Sequence, residues 1–86
     1  MATVYLVPSG TDSADAAASG DYLLRPAGDG LYEVGRVDAG CRWIGTLSAG
    51  LLPSLPQVDA PQEAPEQGRV LAAAQGLESA QDNRGG

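Results

Sequence analysis

Residues 21–47 read DYLLRPAGDGLYEVGRVDAGCRWIGTL, three short apolar runs separated by two glycine-bearing turns. Asp21–Arg25 predicts a strand that Pro26 to Gly30 brings to an end. Asp29-Gly30 between apolar runs is a hairpin signal, because glycine tolerates the positive φ that such turns require. Leu31–Val37 predicts the next strand, and Asp38-Ala39-Gly40 turns it into a further one, Cys41–Leu47. In the first of these, Tyr32 and Val34 share one face while Glu33 lies on the other, and Gly35 weakens the strand or marks a bulge. In the second, Trp43 and Ile44 project to opposite faces.

Upstream, Thr3–Val7 is short, β-branched and aromatic, and Pro8-Ser9-Gly10 stops it. Thr11–Gly20 is small and polar, a loop or one weak helical turn. The expected fold is therefore mainly β: a small antiparallel β-meander or open barrel over about residues 3–47. After it, Ser48–Pro56 is apolar but broken by Gly50, Pro53 and Pro56, which suits an extended path over a surface.

The chain divides near Pro56 into a small β domain, 1–56, and an acidic tail, 57–86. Beyond Pro56 only Val58, Val70, Leu71 and Leu77 offer large apolar groups. Residues 57–68 hold Pro61, Pro65, Glu63 and Glu66, a composition that predicts an extended Pro-rich arm unable to fold by itself. Residues 69–80 predict a short C-terminal helix, with Val70, Ala73, Ala74 and Leu77 on one narrow face. Such a helix is marginal alone in water, and Gly76 weakens it by about 1 kcal/mol. It needs a surface to lie against, and the expectation is that a partner supplies it.

Composition narrows the chemistry. Of 86 residues, eleven are acidic and five are arginine, with no lysine and no histidine, for a net charge of −6. That balance argues against a phosphate-binding surface and against anionic membranes, so no direct nucleic-acid or membrane partner is expected. No apolar run approaches the roughly 20 residues of a membrane span. Met1-Ala2-Thr3 lacks the basic start of a signal peptide, so a bacterial cytoplasmic or virion location is expected. Without histidine there is no His-based triad, and Cys41, alone at the start of an apolar strand, predicts a structural thiol. One cysteine makes neither a disulfide nor a zinc site, and Asp12-Ser13-Ala14-Asp15 lacks the ligand density of a calcium loop. Gly28-Asp29-Gly30 precedes a strand pattern rather than the helix a phosphate loop requires. No catalytic, metal or cofactor site is expected, and the chain is read as a non-enzyme.

Arg84-Gly85-Gly86 resembles the ending of ubiquitin-like modifiers and sulfur carriers. That resemblance implies a C-terminal carboxylate activated for transfer. Those families place the pair directly after a closing strand of a β-grasp fold; here it follows a helix-like, polar segment.

The leading expectation is a structural or accessory subunit of a larger assembly, most concretely a bacteriophage virion protein such as a capsid decoration or head–tail component. Its partner would be a protein, a second copy of the chain included. Docking would use the β edge and the C-terminal arm through Trp43, Leu51, Leu52, Leu55, Val70 and Leu77. The alternatives are a small acidic inhibitor that occupies the basic groove of a nucleic-acid-binding protein, and the Gly-Gly carrier.

Overall fold

The computed structural model describes residues 2–84, and the side chains of residues 2–81. The fold is mainly β, with one C-terminal helix. Strands β1 (Val4–Leu6), β2 (Tyr22–Gly28), β3 (Leu31–Val37), β4 (Cys41–Ser48) and β5 (Gln62–Glu63) form one open sheet in the order β4-β3-β2-β1-β5. A 3-10 turn, Ala49–Leu51, follows β4, and helix α1 covers Gln67–Arg84.

The β2–β3–β4 meander follows the sequence closely. Asp29 and Gly30 link β2 to β3 with φ of 56° and 73°, the paired positive values of a two-residue hairpin turn. The sheet as a whole is mixed, not an antiparallel meander. β1 runs parallel to β2, with Val4 opposite Tyr22 and Leu6 opposite Leu24. A parallel neighbour needs a long return connection, and residues 7–21 supply it. β5 then pairs antiparallel to the free side of β1, and the sheet remains open rather than closing into a barrel.

The extended Pro-rich arm is also not what this structure displays. Residues 52–61 carry no regular structure, but Leu52, Leu55 and Val58 pack against the core, and the chain then enters β5. Helix α1 is longer than the expected 69–80 and lies on the sheet: Val70 and Ala74 are completely buried with Val4, Leu6, Tyr22, Leu24 and Val34. Few apolar groups suffice because the sheet offers the other half of the contact. Each methylene removed from water there contributes about 0.8 kcal/mol.

Polar groups fix the helix in register. The Gln67 amide bridges α1 to β1: its Oε1 accepts from Val4 N–H at 2.7 Å, and its Nε2 donates to Val4 O at 2.8 Å and Ala64 O at 2.6 Å. Asp21, 8% exposed, ties the start of β2 to β1 and the preceding loop by accepting from Thr3 N–H at 2.9 Å and Ala18 N–H at 2.8 Å. Both groups satisfy backbone donors that the ladders leave unpaired.

On the opposite face of the sheet, Leu23 and Val7 are buried beneath the 8–20 loop. Gly35 leaves room there for Cys41 and Trp43: a Cβ would meet Sγ at 2.6 Å and the indole Cε3 at 2.9 Å. Gly35→Ala is therefore expected to overpack this face and destabilise the fold by about 1–3 kcal/mol, read as a lower urea midpoint at unchanged slope. An unchanged midpoint would mean that the Trp43 face is loosely packed.

Candidate interaction surface

Two side-chain clusters hold the layers on either side of the sheet. On the loop face, Arg25 lies with its guanidinium 3.7 Å above the Trp43 ring, a cation–π contact. The same group donates to Glu33 through Nε at 3.1 Å, to Thr11 O at 3.1 Å, and to Asp12. Arg25 thereby pins the 8–20 loop onto β2, β3 and β4. On the helix face, Glu78 receives the Tyr22 hydroxyl at 2.6 Å, and Arg36 Nη1 donates to both its oxygens at 2.7 and 2.6 Å. The hydrogen bond from Tyr22, followed by Arg36, holds the Glu78 carboxyl below its ordinary range despite burial. Burial, reinforced by Glu78, pushes the Tyr22 phenol up.

The residues the sequence singles out for docking occupy different places. Val70 has no exposed surface, and Leu77, Leu52 and Leu55 are partly buried against the core. Trp43 is half-buried beneath Arg25. Leu51 stands out at 73% exposed, and Leu31, opposite Ser48 in the β3–β4 ladder, is 38% exposed. The structure thus brings Leu51 and Leu31 to one end of β4, a juxtaposition that the sequence pattern does not announce. Gly85 and Gly86 lie outside the described residues.

β4 itself is the principal open feature. It is eight residues long, and among the described residues no strand pairs with its outer side. Ala49 N–H bonds Gly30 O at 2.7 Å, so ladder alternation turns the backbone groups of Ser48 and Thr46 outward. A bulge between Val34 and Gly35 leaves Ile44 as the extra residue, since Gly45 and Trp43 take the flanking pairings. Beside this strand, a groove of about 290 Å³ opens between β4 and α1, lined by Arg42, Trp43, Ile44, Glu78 and Gln81. The Arg42 side chain is 66% exposed and 3.7 Å from Glu78, whose oxygens are already engaged.

A second cleft, about 180 Å³, lies on the loop face with Ser13, Leu23, Asp38 and Cys41 among its walls. Burial pushes the Cys41 thiol up, away from the thiolate that nucleophilic chemistry requires. Among the described residues no group of three or more His, Cys, Asp or Glu converges as metal ligands, and no helix is long and apolar enough to cross a membrane.

These features define the chain by architecture: an open mixed five-stranded sheet covered by one helix, with a long free edge. No family model matches the chain, and neither a curated protein nor a solved structure is significantly similar to it.

Proposed function

We propose that the chain is a non-enzymatic accessory subunit that docks onto a larger protein assembly through the β4 edge. The observation that carries this reading is the eight-residue strand that, among the described residues, has no neighbour on its outer side, beside Leu51, 73% exposed. An edge strand offers a row of backbone donors and acceptors to an incoming chain, and exposed leucines add apolar contact where that pairing ends. The net charge of −6 keeps the free subunit soluble until it docks. A bacteriophage virion component, a capsid decoration or head–tail protein, is the concrete form proposed, with the virion as its location.

A photo-crosslinking residue at position 51, introduced in the cells that make the protein, tests the reading. The expected result is one discrete cross-linked partner, lost when Thr46→Pro blocks the edge. Thr46 points its N–H outward, so proline there removes no β3–β4 bond. A chain that stays un-cross-linked and monomeric throughout would contradict the proposal.

A further inference from the structure

We propose that the space beside β4 is a slot for a single extended segment of a partner protein, and that Arg42 selects a segment carrying a carboxylate side chain there. The inference rests on the accessory-subunit reading and specifies the partner's chemistry.

Three features define the slot. The first is the edge, whose Thr46 and Ser48 backbone groups face outward. The second is a roof. Helix α1 starts against β1, where Gln67 bonds Val4, and reaches β4 where Leu77 and Gln81 sit on Gly45. A Cβ on Gly45 would come within 3.3 Å of both side chains, so the helix is seated directly on the strand. Its backbone continues in the same direction to Arg84. Those residues beyond Gln81 extend the helix by roughly 4.5 Å at 1.5 Å per residue, close to the 4.8 Å spacing of neighbouring strands. The last turn therefore reaches toward the position a sixth strand would take.

The third feature is charge. Arg42 is the only charged residue of β4. Among the described residues its one acidic neighbour is Glu78 at 3.7 Å, which is already bonded to Tyr22 and Arg36, so the guanidinium keeps donors for an incoming acceptor. A carboxylate matches that planar fork better than any other side chain. An added strand places alternate side chains on the helix side of the sheet, and the one opposite Arg42 enters the groove between Ile44 and Gln81.

The slot suits one strand better than a second copy of the chain. Two-fold pairing of β4 with itself would bring two helix ends onto one face and two chains of charge −6 together.

The test uses the full chain, isotopically labelled, with capped hexapeptides of alternating threonine and valine. Three versions carry Glu, Gln or Lys at the third position. The Glu peptide is expected to shift the amide signals of Arg42, Ile44 and Thr46 and to bind at least tenfold more tightly than the other two. Arg42→Gln should erase the preference, and Thr46→Pro should abolish binding of all three. Equal affinity for the three peptides would overturn carboxylate selection. Absence of shifts along β4 with every peptide, or a β4-mediated dimer in sedimentation, would overturn the slot itself. Cross-links at position 51 that persist after either result would leave the accessory-subunit reading standing.

Discussion

Val70→Asp is expected to detach α1 from the sheet and to leave the chain partly unfolded at room temperature. Val70 has no exposed surface and sits among Val4, Leu6, Leu24 and Val34. An uncompensated charge buried there costs about 3–5 kcal/mol, a large share of the roughly 5–15 kcal/mol that holds a small domain together. The helix escapes that cost by leaving the surface, but it is marginal alone in water and then loses its structure. Circular dichroism at 222 nm should fall, and the thermal midpoint should drop steeply. Ala72→Asp, on the exposed side of the same helix, serves as the control and should cost under about 1 kcal/mol. Equal behaviour of the two variants would mean that α1 is not packed as described.

The second large effect concerns Glu78. Glu78→Gln replaces charge-assisted bonds from Tyr22 and Arg36 with neutral ones and should cost about 1–3 kcal/mol at pH 7. The pH dependence follows from the direction of the shift. The folded carboxyl titrates below its ordinary value of 4.5, so the folded state holds the proton less tightly than the unfolded chain. Its contribution is fully present above the ordinary value and is lost as pH falls through the lower, folded one. The stability gap between wild type and Glu78→Gln should therefore be constant from pH 7 to about 5.5 and shrink below about 4.5. A gap unchanged at pH 3 would show that the carboxylate does not carry the network.

The central meander was legible because its signals are local. The Asp29-Gly30 turn and the alternation in Leu31–Val37 identify β2, β3 and β4 within a residue or a few of their ends. Direction and distant pairing were not. Val4–Leu6 reads as a strand in either orientation, and only the connection through residues 7–21 makes it parallel to β2. Gln62–Glu63 has no strand pattern at all; it is a strand because β1 exposes an edge beside it. The packing of the C-terminal third was illegible for a related reason. By itself it carries too little apolar surface to fold, and nothing local in the sequence says which surface covers it. The sheet supplies that surface, with the Gln67 amide and the Glu78 carboxylate adding polar anchors whose partners lie 63 and 56 residues away. Of the docking residues, Leu51 could be found from sequence as an apolar residue among breakers. The groove at Arg42 could not, because it exists only once α1 lies across β4.

With the helix seated on the chain's own sheet, the proposed docking rests on the open β4 edge and not on a tail in need of order. Hydrogen exchange on the isolated chain, monomeric and dilute, tests this arrangement most directly. Amides from Val70 to Gln81 should be protected to nearly the same free energy as those of Leu23, Leu24 and Val34, as one cooperative unit requires. Helix amides that exchange at unfolded rates while the sheet stays protected would contradict it.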